Sequence, residues 1–162
     1  MRTSTLGDPT SWRAWDGSGY NLRMESPYQT NTAVSTCTLV STSDARGSLT
    51  YNTYLKRYML AGTTVRVVNG QPVCGFFYTL SSDLISWDSI APLKQGYVPW
   101  SPCRPPDGTN AGIDLYPSIV DHDDKTINFE RPGQRPYLYY THFNSYPLDR
   151  DLVRRRMTIV AP

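Results

Sequence analysis

The sequence predicts an all-β protein in which antiparallel sheets stack on one another, and three observations lead there. In Arg57-Tyr58-Met59-Leu60-Ala61 and again in Gly75-Phe76-Phe77-Tyr78-Thr79-Leu80, large side chains occupy successive positions. Successive strand residues point to opposite faces, so such a sheet is apolar or aromatic on both sides and needs cover on both. Pro, Gly, Thr and Ser interrupt every apolar run before it reaches helical length, which leaves no helical layer to supply that cover. Two halves are also loosely similar: Ser48-Leu49-Thr50-Tyr51 parallels Leu115-Tyr116-Pro117-Ser118-Ile119, and Phe76-Phe77-Tyr78-Thr79 parallels Leu138-Tyr139-Tyr140-Thr141. Their offset of roughly 65 residues exceeds the roughly 40–50 of familiar blade repeats. The arrangement left is sheet upon sheet, as in a β-propeller: two to three antiparallel blades, a partial propeller.

The elements follow in order. Residues 1–47 form an opening segment and partial blade, turn-rich and polar, with a short strand over 20–24 and another over 34–40. Here Trp12 and Trp15, beside Asp16, either offer aromatic faces to a sugar or cap the core where the chain enters the fold. Residues 48–95 form a blade, with strands near 48–52, 55–62 and 73–80 and an outermost strand over 89–94, where Pro92 suits an edge. Val65 to Val68 either extends the second strand or forms a loop ribbon, and Asn69-Gly70 signals a turn. In Ser82-Asp83-Leu84-Ile85-Ser86-Trp87, the short carboxylate accepts turn amides and the indole adds apolar area, so a turn takes precedence over a ligand site. Residues 95–113 are a long loop with Pro99, Pro102, Pro105 and Pro106, either functional or an inter-blade connection. Residues 114–160 form a further blade: a strand from 115, a polar loop over 121–133, an aromatic strand over 137–143 and a last strand over 152–160.

Composition bounds the function. The 162 residues make one domain with a core of its own, and 12% aromatic with 19% charged residues exclude a disordered chain. A net charge of +2, with no segment interleaving basic and aromatic residues, argues against nucleic acid as a partner. No apolar run reaches membrane-spanning length and no signal peptide is read at the start, so no membrane partner is expected and the compartment stays open. Three cysteines, Cys37, Cys74 and Cys103, read as buried free thiols, with a Cys74–Cys103 bridge as the alternative.

Ser48-Leu-Thr-Tyr-Asn-Thr-Tyr-Leu-Lys-Arg-Tyr-Met-Leu60, Ser82-Asp-Leu-Ile-Ser-Trp87, Tyr116-Pro-Ser-Ile119 and Pro136-Tyr-Leu-Tyr-Tyr-Thr141 resemble the later blades of five-bladed propeller glycoside hydrolases of the arabinanase, xylosidase and invertase type. The resemblance covers residues 48–156 and implies carbohydrate as ligand. In that family, carboxylates on innermost strands of separate blades act as general acid and as base or nucleophile, roughly 5–5.5 Å apart for retention. The chain has matter for about half of such a propeller, and no catalytic residue maps onto it by motif. The expectation is a sugar-binding protein on a glycosidase scaffold with catalysis unassigned, the alternative being a non-catalytic protein-interaction module. No cofactor is expected.

The candidate ligand residues are Trp12, Trp15, Asp16, Tyr51, Asn52, Asp114 and Tyr116, of which Asp114 is the carboxylate best placed to project from an inner strand. Glu130 reads as a surface loop residue, Asp121-His122-Asp123-Asp124 as a solvated loop rather than a metal site, and His142 as a satisfied core histidine. Arg154 and Arg156 share one face of their strand and Arg155 the other, so these three do not make a single basic patch. An open stack leaves one sheet face bare, which predicts that the chain pairs with a second copy of itself or repacks a terminal segment over that face.

Overall fold

A computed structural model describes residues 1–24, 28, 36–40, 47–144 and 149–161. It is all-β, 44% strand and 2% helical, with one sheet strongly curled towards a half-barrel, so helices supply none of the cover. No helix among the described residues is long and apolar enough to cross a membrane. Two compact units are present, Met1–Ser41 and Thr42–Pro162.

In the first unit, Asp8 caps a single 3-10 turn, Pro9–Ser11, by accepting the Thr10 amide at 2.9 Å. β1 (Arg13–Ala14) pairs with β2 (Leu22–Arg23), the shorter form of the strand expected over 20–24. The strand expected over 34–40 is a correction in part. Residues 34 and 35 lie outside the described residues, and 36–40 carry no strand; Thr38 is held by its amide bonding to the Trp15 carbonyl at 2.9 Å, which is one contact with a turn and not a ladder.

The second unit begins with a four-stranded antiparallel meander, β3 (Gly47–Asn52), β4 (Arg57–Val68), β5 (Gln71–Ser81) and β6 (Ala91–Gln95). Asn69 and Gly70 take φ of 52° and 77°, the pair of left-handed residues that a two-residue hairpin twisting with its strands requires. Val65 to Val68 therefore extends β4, and Val68 pairs with Gln71. Pro92 lies in the edge strand β6, opposite Phe77 at a bulge, where its missing N–H costs no ladder bond. β7 (Asp114–Val120), β8 (Tyr137–Phe143) and β9 (Arg150–Arg156) form the second meander.

The core lies between the two meanders. Direct register partners share a face, so Met59, Ala61, Phe76 and Tyr78 face one way from the first sheet. Ile119, Leu138 and Tyr140 answer them from the second, in one buried cluster, with Phe76 and Tyr140 edge to face at 5.4 Å. Leu60 and Phe77, on the other face of the first sheet, are buried as well. Past β9, Met157 and Ile159 donate their amides to Pro136 and Gln134 and pack against the cluster. The expected last strand over 152–160 thus divides into β9 and a C-terminal strap packed against the core cluster.

β8 corrects one expectation. Its outward residues Tyr137 and Tyr139 are not covered by a third sheet of this unit. His122 stacks on Tyr137 at 4.5 Å, and the Arg154 and Arg156 guanidiniums lie 5.3 and 5.7 Å from its ring centre. Cationic side chains with apolar stems cover aromatic area while staying hydrated, and here they cover the Tyr137 ring.

Asp83 builds the turn after β5 by accepting the amides of Ile85 at 2.8 Å and Ser86 at 2.7 Å, and these bonds draw its carboxyl from 3.8 down to about 2. A carboxyl depressed on folding stabilises while ionised, fully above its unfolded value, and loses that contribution as pH falls through its folded value. The thermal midpoint of the wild type should therefore exceed that of Asp83→Ala at neutral pH, and the gap should close between pH 3.8 and about 2. A gap that stays constant to pH 2 would contradict this account of the turn.

Candidate functional site

The long loop over 95–113 is ordered by several independent ties. Cys74 of β5 is disulfide-bonded to Cys103, with Cα atoms 6.1 Å apart, which overturns the free-thiol reading for this pair. Cys37 is free and exposed. The reason is topological: β5 and β6 run side by side, so the chain leaving β6 passes back over Cys74, and Gly96 donates its amide to the Cys74 carbonyl at 3.0 Å. Gly75 permits that approach, since a Cβ there would lie 2.2 Å from the Lys94 carbonyl oxygen. Within the loop the Val98 amide bonds to the Cys103 carbonyl at 3.0 Å, Ser101–Pro102 is cis, and Tyr97 bridges to Ile113. Val98 and Ile113 are fully buried.

Asp114, the first residue of β7, follows directly. Its register partner is His142 of β8, and its Oδ1 meets His142 Nδ1 at 2.7 Å. Its Oδ2 pairs with Lys94 Nζ from β6, whose ammonium lies 5.1 Å from the Tyr140 ring centre. The Asp114 side chain is 6% exposed against 18% for Lys94 and 37% for His142, so one buried carboxylate joins two more open cationic or dipolar groups. Lys94 and His142 thus each engage one oxygen of the Asp114 carboxyl group. His142 is satisfied by Asp114, as expected from the sequence, but it lies near the end of β8 with its side chain 37% exposed and not in the core.

Two clefts open on the loop. One, of about 430 Å³, is lined by Lys94, Tyr97, Cys103, Arg104 and Asp114 among others. The other, of about 500 Å³, is lined by Thr63, Pro99, Trp100, Leu115, Tyr116 and Ser118 among others. A bulge between Leu115 and Ser118 pushes Tyr116 out of the β7 ladder, with φ of 58° and 66% exposure. A left-handed conformation costs a tyrosine of order 1–3 kcal/mol, and the exposed ring recovers none of that by burial. Trp100 is also exposed, at 43%.

Of the residues singled out from the sequence, Tyr116 and Asp114 line these clefts. Tyr51 is half-buried, edge-on to Tyr58 at 5.1 Å. Asn52 is fully buried, accepting the Leu55 amide and donating to the Gly133 carbonyl, both at 2.8 Å, and so locks the loop after β7 onto the β3–β4 turn. Trp12, Trp15 and Asp16 belong to the first unit, where Trp15 packs edge-on to Tyr20 at 5.2 Å. Asp16 accepts the amides of Ser18 and Gly19 and the side chain of Asn21, bonds that hold its carboxyl well below the ordinary range. In the loop after β7, Asp121 accepts the Gly133 amide, Asp124 the amides of Thr126 and Arg131, and Glu130 the Thr126 hydroxyl. Sequence reading missed Lys94, which carried no signal in its strand, and Trp100 and Arg104, whose only signal was a tryptophan and an arginine inside a Pro-rich loop.

Comparison with known proteins finds no matching family model, no matching curated protein and no matching solved structure. The functional reading rests on the geometry above.

The disulfide closes a loop of sequence separation 29, for which the chain-entropy model gives about 3–4 kcal/mol. Reduction, or Cys74→Ser with Cys103→Ser, should lower the urea midpoint accordingly. An unchanged midpoint would mean that the loop is held by its other ties alone.

Proposed function

We propose that the protein binds carbohydrate in the cleft of Trp100 and Tyr116, on a partial propeller scaffold of glycosidase type, without a hydrolytic step of its own. The observation that carries this reading is the exposed Tyr116 ring, kept in a left-handed backbone conformation at a bulge of β7. Strain and exposure together are unfavourable in a residue serving only the fold, and outliers of this kind gather at ligand sites. The cleft combines two aromatic side chains with the hydroxyls of Thr63 and Ser118, the mixture of apolar face and polar rim that a sugar ring offers in return.

Hydrolysis by the usual route requires two carboxyl groups facing the glycosidic bond. Among the described residues lining the two clefts, Asp114 is the sole carboxylate, and both its oxygens are engaged by Lys94 and His142. Binding is accordingly the activity favoured. The Trp12, Trp15 and Asp16 turn is a second aromatic surface that the same screen addresses.

A glycan panel followed by calorimetry tests the proposal. Saturable binding should weaken about tenfold or more in Trp100→Ala and in Tyr116→Ala, the loss expected when a large ring no longer buries its area. Silence across the panel, or binding indifferent to both substitutions, would overturn it.

A further inference from the structure

We infer that the ligand is an anionic polysaccharide, sulfated or rich in uronic acid, and that it runs from the Trp100–Tyr116 cleft across the outer face of β7, β8 and β9. The inference rests on the carbohydrate reading and specifies its substrate class. Ser118, which lines the cleft, is the register partner of Tyr139, and Tyr139 is the register partner of Arg154. These three occupy one row across the sheet, so the cleft and the arginine are separated by two strand spacings, roughly 10 Å. The neighbouring row is Val120, Tyr137 and Arg156, and Arg150 faces Phe143 at the other end of β9.

Among the strand residues of β7, β8 and β9, the charge on this face is one-sided. Arg150, Arg154 and Arg156 are exposed and point outward, whereas the two carboxylates of these strands, Asp114 and Asp151, lie in the inward row with His142. The patch was not legible as a run, because its third arginine stands four residues before Arg154 and its aromatic partners come from β8. Each guanidinium is held over a ring: Arg150 on Phe143 at 5.3 Å, Arg154 and Arg156 on Tyr137. The Tyr139 hydroxyl, in the same row as Arg154, meets His122 Nε2 at 2.8 Å. Side chains fixed in this way lose less freedom on binding an anion, and arginine suits sulfate and carboxylate through paired N–H groups. A single-stranded nucleic acid is disfavoured as occupant, because Tyr137 already has His122 and two guanidiniums on its ring and offers no free surface for a base.

Titration calorimetry over a range of salt would use heparin fragments, polygalacturonate, an uncharged dextran and oligothymidylate. Heparin or polygalacturonate should bind more tightly than dextran, and which of the two leads identifies sulfate or carboxylate as the anion. The variant R150Q/R154Q/R156Q should lose roughly tenfold in affinity per contact made and most of the salt dependence, while R150K/R154K/R156K, which keeps the charge, should retain the salt dependence and serve as the control for folding. Dextran bound as tightly as the anionic chains, with the glutamine variant unchanged, would overturn the inference and leave the cleft reading intact. Tighter binding of oligothymidylate would overturn it in favour of nucleic acid. Anionic binding that vanishes in the glutamine variant yet ignores Trp100→Ala and Tyr116→Ala would instead support the anionic face and overturn the cleft reading.

Discussion

The structure depends on one contact, the burial of the Met59, Ala61 and Phe76 face of the first sheet against Ile119, Leu138 and Tyr140 of the second. With scarcely any helix present, the inner face of each of these two sheets finds its cover in the other. Phe76 is 1% exposed and Tyr140 3%, so the interface is closed to water at its centre. Everything that makes the candidate site follows from this contact. Holding β7 and β8 against the first sheet brings Asp114 and His142 to Lys94 of β6, and it fixes the ends of the loop that lines both clefts.

A stack of two-faced sheets must also stop. This chain stops it with cations, Arg154 and Arg156 laid over Tyr137, and with the strap of Met157 and Ile159 at the core margin.

Much of the fold was legible in the sequence for physical reasons. Strand periodicity reveals burial on both faces, and Asn69-Gly70 marks a hairpin because few other residue pairs adopt two left-handed conformations cheaply. The turn role of Asp83 was legible because its partners, Ile85 and Ser86, are local. Less was legible where partners are distant. The Cys74–Cys103 bond, the register of Asp114 with His142 and the arrival of Lys94 between them depend on which strands become neighbours. Likewise Asn52 looked like a ligand residue, while its side chain reaches Gly133, 81 positions away in sequence. Sequence shows what a residue can bond to, and the topology decides what it meets.

The central claim is that the two meanders pack face to face through Phe76 and Tyr140. A double-mutant cycle with Phe76→Leu, Tyr140→Leu and the pair, read from urea unfolding, tests it most directly. An edge-to-face pair at 5.4 Å should give a favourable coupling of about 0.5–1.5 kcal/mol beyond the separate losses. Strictly additive losses would mean that the two rings do not meet, and the stacked arrangement would fall with them.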